Sequence, residues 1–200
     1  MIKESGKTDR LLERGCESYL DALRALREFR KEVLDKSMSA MAQKLDNISE
    51  ALGVGKLDPK KVSLYEEPKL EPGAPWQEDW AELGAQLWFG DYDCSFHAGL
   101  QWKRRESTED VDVWAQADVW VKKARYTRYW PMIQSFVGRK RTKLGHHPPD
   151  LVTDGTFITL RESCPAGEIG DLSAKLRRLL DGWCLIWKKT GGLAIIKKRP

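Results

Sequence analysis

Three runs of residues alternate apolar and polar positions with a period of two, which is typical of half-buried antiparallel strands. They cover residues 83–89, 94–103 and 111–121, and residues 90–93 predict a turn between the first two. Successive side chains of a strand point to opposite faces, so the pattern predicts one apolar face and one mixed face carrying tryptophan and polar groups. The apolar face needs a cover, which the rest of the chain must supply.

A helical pattern precedes these strands, running from residue 8 or 9 to Leu52 and ending at Gly53. At 1.5 Å per residue such a helix is about 67 Å long, which exceeds a compact body of this size. No glycine or proline interrupts residues 17–52, which favours one helix over a break at residues 35–37. We therefore expect the stripe to pair with a second copy as a coiled coil, to cover the sheet, or to divide between the two. Its apolar stripe, with one four-residue stutter at Arg30, is Leu12, Cys16, Tyr19, Leu23, Leu26, Arg30, Leu34, Met38, Met41, Leu45, Ile48 and Leu52.

These patterns predict an α+β protein with a long N-terminal helix, suited to a coiled coil, and a mainly antiparallel, tryptophan-rich sheet covered by one or two helices. The predicted organisation is a helical element at 1–55, a proline- and glycine-containing connector at 56–80, and an α+β domain at 81–200. Within that domain we expect a short helix from Pro131, a strand at 156–161 and a helix ending at Gly182. For residues 183–198 a hairpin is favoured, with an extension of that helix as the alternative.

Composition adds limits on the class of protein. The chain is 41% hydrophobic and 32% charged and has no run of about 18 apolar residues, so we expect a cytoplasmic protein without a membrane span. The spacing of the four cysteines suggests neither a zinc site nor a redox motif, and all four are predicted to be buried thiols. We expect no cofactor and no metal.

The charge is unevenly distributed. Residues 101–200 carry 20 basic and 11 acidic side chains, and residues 119–149 contain no acidic residue at all. Basic side chains neutralise phosphates, and interleaved aromatic rings offer faces on which unpaired bases stack. This segment predicts contact with a polyanion, either a nucleic acid or an acidic protein; the alternative is a solvated helix face balanced by the chain's own acidic residues at 66–93. The candidate residues are Lys122, Lys123, Arg125, Arg128, Trp130, Arg139, Lys140, Arg141 and Lys143.

A weaker hypothesis is catalytic. Asp91 or Asp93 precedes Gln101 and Lys103, which form a QxK on the predicted hairpin. The order helix, three strands, helix, strand is similar to that of the PD-(D/E)xK nuclease core, in which an acidic residue and an (E/D)xK bind a divalent metal. The neutral glutamine weakens a cation site, and element order alone does not establish function.

A third hypothesis concerns the mixed face of the sheet. Aromatic walls with a few polar groups are typical of small-molecule clefts, and Gly99 leaves room near the middle of this face. The alternative is that the C-terminal helix or hairpin packs over the same residues as a second core layer. The candidates are Trp88, His97, Gln101, Trp114, Asp118 and Trp120.

The sequence therefore favours binding or assembly over catalysis. We expect a homodimer joined through residues 10–52 that contacts a polyanionic partner through residues 122–143. A degenerate metal-dependent nuclease and a small-ligand binder are the alternatives.

Overall fold

The structure, a computed structural model, describes residues 5–67, 80–104, 111–140 and 149–196. The predicted α+β class is confirmed, because these residues form helices and one six-stranded antiparallel sheet with strand order β1-β2-β3-β4-β6-β5. The helices are α1 (Ser5–Leu52), α2 (Lys123–Lys140) and α3 (Leu172–Thr190). The strands are β1 (Val62–Glu67), β2 (Trp80–Phe89), β3 (Cys94–Arg104), β4 (Val111–Val121), β5 (Asp150–Asp154) and β6 (Phe157–Ser163).

Several elements differ from the sequence-based expectation. The edge strand β1 lies within the predicted connector, and α2 begins at Lys123 with Pro131 inside it. The predicted hairpin at 183–198 is wrong, because α3 continues to Thr190 and Gly191 ends it in a left-handed conformation with φ 93°. The extended helix places Trp183 and Trp187, four residues apart, on one face. No helix in the described ranges combines the length and apolarity needed to cross a bilayer.

The apolar face of the sheet packs against α3. The Phe96 ring of β3 makes edge contacts with the rings of Trp183 and Trp187, at centroid distances of 6.3 and 4.8 Å. Each indole N–H is satisfied: Trp183 donates to the Ala117 carbonyl of β4 at 2.7 Å, and Trp187 donates to the Tyr129 hydroxyl of α2 at 2.8 Å. Complete burial raises the pKa of Tyr129 above its ordinary value, so this hydroxyl stays neutral. The face therefore acquires a core layer without leaving a buried indole donor unpaired.

Helix α1 is unbroken over 48 residues, as the absence of glycine and proline predicted, but it crosses the boundary between two compact units at Glu32 and Val33. In the second unit most of its apolar positions are buried, including Val33, Met41 and Ile48, while Met38 is half-buried. In the first unit every described side chain from residue 13 to 32 is at least partly exposed. The stripe thus divides into a buried part and an exposed part.

The expectation that all four cysteines are buried is wrong for one of them. Cys16 lies on the exposed part of α1, whereas Cys94, Cys164 and Cys184 are buried. Burial raises the pKa of Cys94 to about 12 and that of Cys184 to about 11, which keeps both as unreactive thiols.

Strands β2 and β3 approach closely where two glycines face each other. Gly84 pairs with Gly99, and a Cβ built on Gly99 would lie 2.1 Å from the Leu83 carbonyl oxygen. Backbone atoms form this contact, so no rotamer change can relieve it. A side chain at either position would push the two strands apart.

We therefore expect Gly99→Ala to lower the free energy of unfolding by about 2–4 kcal/mol, because the strands must separate to admit a methyl group. Gly138→Ala is the matched control: it lies in α2 with nothing within 4 Å of the added Cβ. In a helix interior this change raises stability by about 0.5–1 kcal/mol, and because Gly138 lies in the last turn of α2 we expect no loss and a gain no larger than this. Guanidinium unfolding with an unchanged denaturant slope measures both; equal stability of Gly99→Ala and wild type would contradict the close approach.

Candidate ligand cleft

The strand register gathers polar residues from adjacent strands on the mixed face. Residues directly opposite each other share a face, so Gln86 of β2, His97 of β3, Asp118 of β4 and Thr159 of β6 form one row across the sheet. The neighbouring row contains Gly84, Gly99, Gln116 and Arg161. Four strands therefore contribute to one surface, which α3 does not cover because it packs on the opposite face.

His97 and Asp118 form the centre of a buried hydrogen-bond network. Nδ1 of His97 lies 3.0 Å from Oδ1 of Asp118, and only 3% and 1% of these residues are exposed. Nε2 of His97 lies 2.9 Å from the side-chain nitrogen of Gln86 and 3.1 Å from the Ser95 hydroxyl. An amide nitrogen can only donate, so Nε2 accepts and the imidazole proton resides on Nδ1, which donates to Asp118. The second Asp118 oxygen accepts from the Gln116 amide at 3.3 Å.

The glycine row lets longer side chains reach this network. Tyr65 pairs with Gly84 on β2, yet its ring stacks on His97 of β3 at a centroid distance of 4.2 Å and an interplanar angle of 13°. Glu82 pairs with Gln101, one row beyond the glycines, and its carboxylate comes within 4.8 Å of ligand atoms of His97 and Asp118. Three buried groups that can bind a metal therefore lie together.

A cleft of about 640 Å³ opens over these rows. Its buried part contains the carboxylates of Glu82 and Asp118, while Lys103 is exposed. The Arg161 guanidinium lies 4.5 Å from the centroid of the Trp114 ring, and its buried Nε has no hydrogen-bond partner in the described parts of the chain. The described lining is Tyr65, Glu82, Gln101, Lys103, Trp114, Gln116, Asp118, Val152, Phe157, Thr159 and Arg161.

The six ligand-face residues predicted from the sequence all lie on the mixed face. Gln101, Trp114 and Asp118 line the cleft, and His97 bonds to Asp118. Trp88 and Trp120 lie in a different row, on either side of Ser95, and stack on each other at 5.6 Å. The alternative of a C-terminal cover over this face does not hold for α3, because its tryptophans contact Phe96 on the apolar face.

The structure does not bring the predicted nuclease residues together. Asp91 and Asp93 lie in the turn before β3, whereas Gln101 and Lys103 lie near the far end of that strand. Gln101 lies eight positions after Asp93 in the chain, which corresponds to about 26 Å along an extended strand. The Asp93 carboxylate lies near the Lys122 ammonium at 3.6 Å and the Arg125 guanidinium at 3.4 Å. One metal ion cannot bridge the two ends of the strand.

The predicted polyanion-binding residues divide into those that bond to other elements of the chain, those that are exposed on α2, and those at or beyond the end of α2. Arg125 is used internally, since it also donates to the carbonyls of Tyr92 and Ile196. Lys123, Arg128 and Arg139 are exposed on α2, and Trp130 is partly exposed. Arg139 donates to the carbonyl and hydroxyl of Ser135 in its own helix. Lys140 ends α2, while Arg141 and Lys143 lie outside the described residues.

Sequence reasoning did not name seven residues of the described cleft lining: Tyr65, Glu82, Gln116, Val152, Phe157, Thr159 and Arg161. The alternation of the first strand extends back through Ala81 and Leu83 and assigns Glu82 to the mixed face, which was a usable signal. Tyr65 had no such signal, since it lies in a short edge strand inside a proline-containing segment. Arg161 was placed on a strand, but nothing in the sequence makes that strand the neighbour of β4.

Comparison with family models, curated proteins and solved structures finds no match to this chain, so its function must be argued from the geometry of the cleft.

Proposed function

We propose that the protein binds a small organic anion in the cleft on the mixed face of the sheet. The observation that carries this proposal is Arg161: its guanidinium lies on the Trp114 ring, lines the cleft, and has a buried Nε with no hydrogen-bond partner among the described residues. A buried donor without an acceptor costs about 1–3 kcal/mol. A carboxylate or phosphate bound against the guanidinium in the cleft supplies an acceptor at this side chain.

The chemistry of the lining supports an anion with a planar or apolar body. A planar guanidinium binds a carboxylate or phosphate through two parallel hydrogen bonds, and Lys103 adds a second positive charge. Tyr65, Trp114 and Phe157 provide aromatic surface, while Gln101, Gln116 and Thr159 provide neutral hydrogen-bonding groups. A volume of about 640 Å³ falls within the usual range for small-molecule sites, about 300–1,000 Å³.

This proposal predicts that a panel of aromatic carboxylates contains ligands that quench tryptophan fluorescence and raise the melting temperature, while their uncharged amides do neither. Arg161→Gln should weaken binding of the best carboxylate at least about tenfold, since it removes a charge-assisted hydrogen bond worth about 1.5–3 kcal/mol. Arg24→Gln, at an exposed arginine paired with Asp21 on α1, is the matched control and should bind as wild type does. Equal binding of the amides, or full binding by Arg161→Gln, would contradict an anion site at Arg161.

Self-association is a second proposal, supported by the exposed part of α1. Tyr19, Leu20 and Leu26 are 64%, 45% and 43% exposed, which is unusual for three large apolar side chains on one helix. Cys16, Tyr19, Leu23 and Leu26 follow the alternating steps of three and four residues that characterise a coiled coil. We propose that this stripe pairs with the same stripe of a second copy.

Light scattering at increasing concentration should then give a dimer, and the double variant Tyr19→Lys, Leu26→Lys should give a monomer of 22.9 kDa. Charged residues at the centre of a helical seam repel their copies and lose apolar burial, whereas Arg14→Glu, Arg24→Glu outside the stripe should leave the dimer intact. A wild-type monomer at high concentration would remove this proposal.

Contact with a polyanion remains a proposal for the exposed cations of α2. Lys122, just before α2, and Arg125 already have Asp93 as a counter-charge, so the support narrows to the exposed Lys123 and Arg139 with the basic residues that follow. Charge reversal of Arg139, Lys140 and Arg141 should then weaken binding of single-stranded DNA, with a salt slope of about 0.7 per phosphate contacted. Trp130→Ala should weaken single-strand binding more than duplex binding. Undetectable binding at low salt would remove the nucleic-acid proposal.

A further inference from the structure

We infer that Glu82, His97 and Asp118 form a binding site for one divalent first-row transition-metal ion at the buried end of the cleft. The inference deepens the proposed function, because the ion would lie in the same cleft that we propose as the anion site. It rests on three ligand groups that the sheet register brings together from three adjacent strands.

The distances suit a shared ion. One ligand atom from each of the three residues lies within 4.8 Å of the other two, and all three residues are buried. His97 Nδ1 and Asp118 Oδ1 are 3.0 Å apart. Two ligands that bind one metal at about 2.1 Å and at a right angle lie about 3.0 Å apart, so the two atoms have a spacing that a shared ion requires. The ion would lie off the line of the present hydrogen bond, and the His97 ring and the Asp118 carboxylate must turn toward it.

The surroundings of His97 fit a metal-binding imidazole. With the ion on Nδ1, the ring proton resides on Nε2. The Gln86 amide, whose nitrogen now lies 2.9 Å from Nε2, must then turn to present its oxygen, and the Ser95 hydroxyl at 3.1 Å can also accept the proton. Metal-binding histidines usually donate their second N–H to such a partner, which fixes the orientation of the ring. The Tyr65 ring stacked on His97 limits its rotation further. The ligands therefore sit on paired strands, with their side chains held by neighbours, rather than on a mobile loop.

The ligand set indicates the class of ion. One imidazole with two carboxylates suits Mn²⁺, Fe²⁺ or Zn²⁺, whereas Mg²⁺ and Ca²⁺ prefer oxygen ligands alone. Three protein ligands leave at least one coordination position for water or a ligand. Glu82 and Asp118 line the cleft, so that position faces the space where we propose the anion binds.

The test uses the metal alone. The 200-residue chain carries Cys16→Ser, His146→Ala and His147→Ala. These changes remove an exposed thiol and two consecutive histidines as competing ligands. After chelator treatment and dialysis, we expect Zn²⁺ to bind with a stoichiometry of one per chain by calorimetry. Bound Co²⁺ should give visible absorption bands, and these bands should disappear when Zn²⁺ displaces the Co²⁺. Mg²⁺ should bind at least about a hundredfold more weakly than Zn²⁺.

In this background Glu82→Gln and Asp118→Asn should each weaken Zn²⁺ binding at least about tenfold, since each removes one charged ligand of nearly unchanged shape. Glu82→Asp is a second test at the same position should Glu82→Gln lose its fold. Glu50→Gln, at an exposed glutamate of α1 paired with Lys188, is the matched control and should bind as the background does. Circular dichroism and melting temperature verify that each variant is folded.

Absence of Zn²⁺ binding, or an affinity unchanged in Glu82→Gln and Asp118→Asn, overturns the inference. That outcome is separable from failure of the proposed function, because carboxylate binding is measured on the metal-free protein by comparing wild type with Arg161→Gln. Equal loss of Zn²⁺ binding in Glu50→Gln would assign the ion to a different place and overturn it as well.

Discussion

The packing of α3 on one face of the sheet is the interaction on which the remaining architecture depends. Trp183 and Trp187 contact Phe96 of the sheet. The Trp183 N–H donates to a carbonyl of β4, and the Trp187 N–H donates to Tyr129 of α2, so α3 contacts both the sheet and α2. Burying large aromatic side chains while satisfying their donors is strongly favourable. With the apolar face covered in this way, the opposite face is left to the polar residues of the same strands. The cleft is a consequence of this one-sided packing.

Burying polar and charged residues on the mixed face lowers stability, so stability does not explain why they are there. His97, Asp118 and Glu82 are almost completely buried, and apolar residues of similar volume are often as stabilising as buried charged groups, or more so. The hydrogen bonds from Gln86, Ser95 and Gln116 reduce that cost by satisfying the central pair. The glycine pair of β2 and β3 gives up side-chain packing at the same place. A costly polar centre, a row without side chains and an arginine held on a tryptophan together favour a role in binding.

The proposed functions use different parts of the molecule and do not compete. Residues of all six strands line the cleft, the exposed apolar stripe lies on the part of α1 that belongs to the first unit, and the remaining exposed cations lie on α2. Asp93 shows how the chain neutralises part of its own basic segment, since both Lys122 and Arg125 lie within 4 Å of it. Part of the positive charge in the second half of the sequence therefore has a structural role: it holds the start of α2 against the turn before β3.

Local patterns in the sequence determined the fold class, the continuity of α1, the three central strands and the two faces of the sheet. These features depend on periodicity and on the absence of helix breakers, which neighbouring residues specify. The order of the strands, the edge strand β1 and the continuation of α3 beyond Gly182 were decided by tertiary structure, because they depend on which distant surfaces bury each other. The cleft also depends partly on local pattern and partly on tertiary structure. The alternation of β3 and β4 predicted that His97, Gln101, Trp114 and Asp118 share the mixed face. Tyr65, Glu82 and Arg161 joined them only when the strands paired, since nearness across a sheet is set by register and not by distance along the chain.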